Sequence, residues 1–495
     1  MKKYKLWKIL TIVFAFLTVV MIVANVVCSM YATTINWALN TVSSEVVLGD
    51  EPGPIYYESE FALKNSDGSS QIGSDGKEIM DKEALSAAGD AIVKEVAREG
   101  IALLKNDGAL PLEKGASVSL FGQSVDKPVT SGSGSGATAS GGEHTYLSSL
   151  TNAGLEVNQA SWNFYNSGAG ASYSMSIPSM HGDDPFSINE CPWSVVQSDS
   201  TYSQMINSDT AIVVFSRNGG EGFDLPGGTN PIAPEGERYT ADGLSQADGS
   251  LTGGNFLELN ADERSVLAGL KALKDNHTIE NIVVVLNTPN AMELDFLSPE
   301  VCGVDYGVDA CLWMGPVGQS GLDALGQVLT GYNGDEQFSP SAKIIDTYAY
   351  DNLREPAIYN YGESIYSNWD SYSSQSAAQD SQAHLNQKYY TVYREGIYVG
   401  YRYHETRYED YVFGNEDVYD YSQVVAYSFG HGLSYTTFEY SDFTVTDNSD
   451  GTLTATVTVT NTGDWAGKEV VELYAQAPYT DYDRENGIEK SSVEL

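Results

Sequence analysis

Cysteine, histidine and basic residues are all scarce in this chain. Four cysteines occur in 495 residues. Cys28 falls in an apolar N-terminal run, and Cys191, Cys302 and Cys311 form an odd set without metal-like spacing. A disulfide scaffold is thereby excluded, and Cys302 with Cys311 is the one local pair that spacing allows. Six histidines are scattered with no H-E-x-x-H pattern, so no zinc site is legible. Only 26 lysines and arginines stand against 67 aspartates and glutamates, a formal net charge of −41. A surface so acidic repels phosphate backbones and argues against a nucleic-acid partner.

The basic residues are also unevenly placed. Lys2, Lys3, Lys5 and Lys8 precede any acid, and an apolar run follows from Ile9 to Ala32. About twenty such residues suffice to cross a bilayer as a helix, and the lysines should stay cytoplasmic. The run is long for a signal peptide, and Ser29-Met30-Tyr31-Ala32 fits a cleavage site poorly. The expectation is an uncleaved anchor through residues 9–32, in the cell membrane, with the bulk of the chain extracellular.

The chain as a whole is globular in composition, 42% hydrophobic, and long enough for two or three domains. Its 33 tyrosines suit either stacking on sugar faces or packing of loops with a wet polar tip. The organising stretch runs from Ala211 to Asp224, A-I-V-V-F-S-R-N-G-G-E-G-F-D. A continuous apolar run bounded by turn signals reads as a strand buried on both faces of a parallel sheet. Ligand crevices in such sheets lie beyond the carboxyl ends of the strands. Glu221 falls there, flanked by glycines that let a ligand approach the backbone. It reads either as a proton donor or as a solvated loop glutamate.

Further strands are expected at Ile101–Leu104, Ser117–Phe121, Ile282–Leu286 and Ala310–Met314, with helices over Ala84–Arg98, Ala261–Lys274 and up to Leu329. In the first helix Ala88, Ile92, Val93 and Val96 fall on one side. This alternation predicts a layered α/β sheet. Ser131–Gly142 contains a G-x-G-x-x-A match but neither leaves a strand directly nor opens an apolar helix, so it reads as a flexible loop at the crevice rim. After Tyr440 the pattern turns to period-2 alternation, Leu453–Val459, with a turn at Asn461–Asp464 leading to a partner strand at Glu469–Tyr474. About 55 residues remain for this sandwich-like part, against roughly 100 for a complete one. The expectation is a fragment or truncated product.

Several segments together resemble glycoside hydrolase family 3, the β-glucosidase family. Glu99–Asn106 with Leu110-Pro111-Leu112 is similar to the opening of its α/β sandwich domain, and Ser216–Asp224 to its acid/base loop. Tyr393–Tyr403 and Phe429–Phe438 resemble later stretches leading into a fibronectin III-like module, and Val459–Gly463 and Gly467–Val471 follow that module's pattern. By composition residues 1–44 read as cytoplasmic stub and anchor and 45–84 as a polar lead-in; the resemblance covers about 85–495 and implies 85–440 as the family's α/β sandwich domain and 441–495 as a truncated fibronectin III-like module. No room exists upstream for a (β/α)₈ barrel of roughly 250 residues. The resemblance therefore implies a barrel after the module, carrying the aspartate nucleophile.

It further implies a retaining two-carboxylate hydrolase of terminal β-linked sugars in oligo- or aryl-glycosides, with no cofactor and no metal. Glu221 would be its acid/base, and Phe223 and Asp224 would contact substrate. Phe223 is a stacking ring or a loop anchor, and Leu225 stands where relatives often have Arg. Without the barrel, this chain should be inactive and Glu221 should titrate as an ordinary exposed glutamate. The competing reading is a non-catalytic surface module that binds carbohydrate or acts as a spacer. A nucleotide-binding α/β protein is disfavoured because phosphate-loop signals are absent.

Overall fold

The computed structural model describes residues 7–8, 11, 13–14, 16–18, 20–21, 61–74, 77–138, 142–175, 187–221, 256–357, 364–365, 389–390, 392–393, 395–412, 414 and 419–495. The expected anchor at 9–32 falls largely outside them. Among the described residues no helix is long and apolar enough to cross a membrane.

The chain divides into two compact units, Met1–Leu85 and Ser86–Leu495. In the first, the described part of the polar lead-in forms isolated antiparallel bridges, Ala62 with Met80, Lys64 with Ser70 and Ile72 with Glu78.

In the second unit the apolar runs become a six-stranded sheet. Its elements are α1 (Lys82–Gly100), β1 (Ala102–Asn106), β2 (Ser117–Phe121), α2 (Tyr146–Asn152), β3 (Glu156–Val157), α3 (Gln159–Asn166), β4 (Thr210–Ser216), α4 (Ala261–Asp275), β5 (Asn281–Asn287), β6 (Ala310–Trp313) and α5 (Asp323–Thr330). The strand order is β1-β6-β5-β4-β2-β3. All neighbours pair in parallel except β1, which runs antiparallel to β6. The expected α/β class with a mostly parallel sheet is therefore present.

The centre of the sheet is where the sequence is most apolar. Every residue of β4 is buried, and β5 is buried from Ile282 to Asn287. Two-sided burial needs apolar side chains on both faces, which explains a run without alternation. Each buried Val, Ile or Phe there stabilises the fold by about 1.5–3 kcal/mol.

Helix packing uses glycine at two close approaches. A Cβ on Gly326 of α5 would collide with the Ser149 carbonyl of α2. One on Gly269 of α4 would collide with the indole of Trp193. The first helix differs from expectation. Ile92 and Val96 of α1 are 63% and 66% exposed, and Ala97 is its buried residue. The helix docks instead through its narrow edge, Val93 against Gly318 and Ala97 against Gly321. Small residues bring the backbones close there, which turns the bulkier stripe outward.

The late β region also departs from expectation. Leu453–Val459 lies within β8 (Leu453–Asn461), whose partner is the preceding β7 (Phe438–Asp447) in an antiparallel pair. Glu469–Tyr474 is not in a strand. Its apolar residues come in adjacent pairs, Val470-Val471 and Leu473-Tyr474, and among the described residues no strand pairs with it. Cys302 and Cys311 are free thiols, not the local pair that their spacing allowed. Cys311 lies inside β6, where its side chain is part of the core.

Beyond β4 sits one fully buried ion pair. Arg217 and Glu263, the third residue of α4, are 0% and 1% exposed and make two contacts at 2.6 and 2.8 Å. Replacing Glu263 by Ala leaves a buried guanidinium unpaired, which costs about 3–5 kcal/mol. Urea denaturation of Glu263→Ala should show a loss of that size, with Glu263→Gln intermediate.

Candidate active site

Three strand ends build the crevice edge. β2, β4 and β5 finish at Phe121, Ser216 and Asn287, and the loops that follow are tied together mainly by side chains, with an isolated backbone bridge between Ser133 and Gly220. Buried Asn287 accepts from the Val129 N–H at 2.7 Å, and its amide donates to the Val129 and Gly315 carbonyls at 2.9 and 2.7 Å. One side chain thus fixes the loops after β2, β5 and β6. Ser216 is hydrogen-bonded to Ser124. Gly122 has φ +103°, and a Cβ there would strike the Val214 carbonyl. The sharp exit from β2 therefore requires glycine.

Arg217 completes this framework. Its Nε donates to the Phe256 carbonyl at 2.5 Å. Its Nη1 donates to the Ser216 carbonyl and to Glu263, and its Nη2 to the Glu258 carbonyl and to Glu263. All five N–H donors of the guanidinium are used. The α4 terminus is held from its other side by a capping box in which Asn260 and Glu263 bond each other's backbone N–H.

Glu221 stands five residues past β4, exposed, where the sequence placed it. Its carboxylate is not free. Oε2 accepts from the Ser135 N–H at 2.7 Å and from the Ser135 hydroxyl at 2.5 Å. The Ser133 hydroxyl donates to the Glu221 carbonyl at 3.1 Å, and Ser133 and Gly220 form a parallel bridge. The Ser/Gly loop expected to be flexible is thus, over Ser131–Gly136, a strap across the Glu221 backbone. Its glycines are explained by that closeness. A Cβ on Gly134, at φ +73°, would lie 2.5 Å from Glu221 Oε2, and one on Gly220, at φ +156°, would collide with Ser133.

The electrostatic result differs from an ordinary exposed glutamate. The Ser135 hydroxyl, and then its amide, stabilise the carboxylate form and hold the Glu221 carboxyl below its usual range. Two further groups sit at this edge. Asn218 Oδ1 and Asn290 Oδ1 are buried acceptors without a hydrogen-bond partner, and Asn290 lies against Gly219. Sequence reading missed Ser133, Ser135, Arg217, Asn218 and Asn290 as site residues. The signal for the serines was present as a Ser/Gly run too polar for a core and too short for a linker. The expected substrate contacts Phe223 and Asp224 lie outside the described residues.

Behind the crevice lies a buried carboxyl. Glu190 accepts from the Gln123 N–H at 3.0 Å and from the Cys191 N–H at 2.8 Å, and is 1% exposed. Burial, with the charge of Glu263 adding, pushes its pKa up to about 8. No group of three or more His, Cys, Asp or Glu suited to a metal ion occurs among the described residues.

With this geometry in hand, comparison with known proteins is informative. A model of the glycosyl hydrolase family 3 C-terminal domain matches residues 101–401, more than half of the chain. The chain is 31% identical over 408 residues to β-glucosidase A of Butyrivibrio fibrisolvens, covering 78% of this chain and 41% of that protein. Against a β-glucosidase of Ruminococcus albus it is 28% identical over 386 residues, covering 78% and 32%. Among solved structures, β-glucosidase 3B from Thermotoga neapolitana in complex with glucose aligns with a TM-score of 0.57 and 26% identity, over 84% of this chain and 46% of that one. The chain thus spans less than half the length of these relatives.

Two outcomes follow from the site. Ser135→Ala removes the hydroxyl and should raise the Glu221 pKa, read as an upfield-to-downfield NMR titration of the carboxyl carbon moving to higher pH. Glu190 has a folded-state pKa raised above its unfolded value near 4.3. Its contribution is fully present below that value and is lost as pH rises toward about 8. Melting temperature should therefore fall between those limits, and Glu190→Gln should flatten the fall.

Proposed function

The chain belongs to glycosyl hydrolase family 3, and from that membership we propose that it is the acid/base-bearing part of a retaining, β-glucosidase-like hydrolase. Its substrate is a terminal β-linked sugar of an oligo- or aryl-glycoside. The observation that carries this reading is Glu221, exposed past the carboxyl end of β4 with its carboxylate oriented by Ser135. Asn218 Oδ1 and Asn290 Oδ1 support it, because unpaired acceptors in and against the same loop suit donation from sugar hydroxyls.

In this reading Glu221 protonates the leaving glycosidic oxygen and later takes a proton from the attacking water. A second carboxylate about 5–5.5 Å away forms the glycosyl-enzyme bond. That nucleophile is an aspartate on a (β/α)₈ barrel elsewhere in the protein, expected downstream. The division of labour fits the electrostatics. A general acid must be neutral near working pH, whereas Ser135 keeps Glu221 ionised. The barrel's carboxylate and the exclusion of water would raise it when the two halves meet. Alone, this part is inactive. The lysines before the apolar run at residues 9–32 support a membrane-anchored enzyme acting outside the cell.

The test uses the protein carrying the barrel. Glu221→Ala should lower kcat on p-nitrophenyl β-glucoside by roughly 10²–10⁴-fold, with azide restoring turnover as a β-glycosyl azide. Unchanged turnover removes Glu221 from the mechanism.

A further inference from the structure

A cavity of about 720 Å³ lies between α1, α2, α5 and Trp465 in the turn that follows β8. Glu113 and Lys114 on its wall lie in the turn that leads into β2, and Ala153 precedes β3. Because β2, β3 and β4 are parallel, this wall reaches the amino-terminal edge of the sheet. Glu221 leaves from the opposite edge.

The α5 side of the cavity carries two acceptors without partners. Asp323 gives Oδ2 to Lys94 at 2.7 Å and to His144 Nδ1 at 3.0 Å, while its Oδ1 is buried and bonded to nothing. One turn further, the Gln327 amide donates to Asn333 Oδ1 at 3.1 Å, leaving Oε1 buried and unpaired. Buried polar atoms are satisfied in most native structures. Two orphans at i and i+4 on one helix therefore mark a place that receives donors. The terminal torsions of carboxylates and amides are soft, so a small rotation turns each oxygen toward the lumen.

The remaining wall supplies apolar rings. Trp465 meets Tyr332 and Tyr435 edge-on, each at 5.6 Å between centroids, and fills the space above Gly331. Lys94 is committed to Asp323, and the charges left on the lining, Lys114 against Glu113 and Asp335, are of mixed sign and favour no strongly charged ligand. The orphan groups accept rather than donate, which disfavours phosphate and carboxylate ligands. What fits is a neutral molecule with several hydroxyl donors and an apolar face, in a cavity of the size that holds small ligands.

We propose that this cavity is a second sugar-binding site, taking a neutral pyranose unit on α5 and the Tyr332–Trp465 wall. It is independent of the role assigned to Glu221 and would hold a glycan chain against the protein away from the cleavage point.

Saturation-transfer NMR on the purified full chain, with D-glucose and cellobiose as probes, tests this. Both should bind the wild type and Glu221→Gln alike. Gln327→Leu and Tyr332→Ala should each weaken binding roughly tenfold, as expected for loss of one hydrogen bond or one ring contact. Tyr332 is 41% exposed, so its truncation leaves the fold intact, and melting curves of both variants check this. In the barrel-bearing protein Gln327→Leu should leave p-nitrophenyl β-glucoside turnover unchanged. Absence of saturation transfer with either sugar overturns the proposal. So does transfer that survives both cavity variants, or that disappears in Glu221→Gln.

Discussion

The Arg217 guanidinium is the constraint on which the site rests. The chain leaves the sheet at Ser216, and Arg217 bonds the Ser216 carbonyl together with the Phe256 and Glu258 carbonyls that lead into α4. A charge at zero exposure is costly unless every donor is satisfied, and here each one is. The pair with Glu263 also draws the α4 N-terminus to the end of β4. A helix start is a partial positive charge, and Glu263 in its first turn meets that field as well as the cation. Position and polarity at the crevice base are therefore set by one side chain that touches no ligand. Lysine, a point charge with three donors, could not make the same set of contacts.

Against that rigid base, Glu221 is placed by weaker means. Two hydrogen bonds from Ser135 orient one oxygen, and glycines at 134 and 220 allow the strap to lie against it. The arrangement favours the charged form. An exposed carboxylate held by neutral donors and a buried carboxyl such as Glu190, pushed up by burial, show the two directions in which surroundings move the same chemical group. The crevice edge provides orientation, and the proton-donating state needs desolvation or a second negative charge beside it.

The fold was largely legible because its core strands carry an unambiguous pattern. Ala211–Phe215 and Ile282–Leu286 are buried on both faces, and two-sided burial leaves no room for alternation. The place of Glu221 was legible for the same reason, since a buried strand that stops before Gly-Gly-Glu-Gly puts that glutamate in the loop past its end. What stayed hidden depends on distance in sequence. Ser135 meets Glu221 across 86 residues and Arg217 meets Glu263 across 46, and neither pairing leaves a local trace. The orientation of α1 was hidden for another reason. Its apolar stripe is real, but Val93 and Ala97 dock because glycines oppose them, and Ile92 and Val96 are left outside. Glu469–Tyr474 shows the reverse error, a run of β-forming residues that pairs with no strand among the described residues.

The outer edge of the sheet carries one more consequence. β1 pairs with β6 on one side, and on the other the Leu433 N–H donates to the Leu103 carbonyl at 2.7 Å while His431 bonds the Leu104 carbonyl. The residues that cap this edge are made 327 positions after those they cover. At ordinary synthesis speeds that interval is roughly 15–65 s. During it an apolar strand has an open flank, the situation in which nascent chains adhere to one another. The first strand of the domain thus gains the cover of that flank only once residues 431–433 have been made.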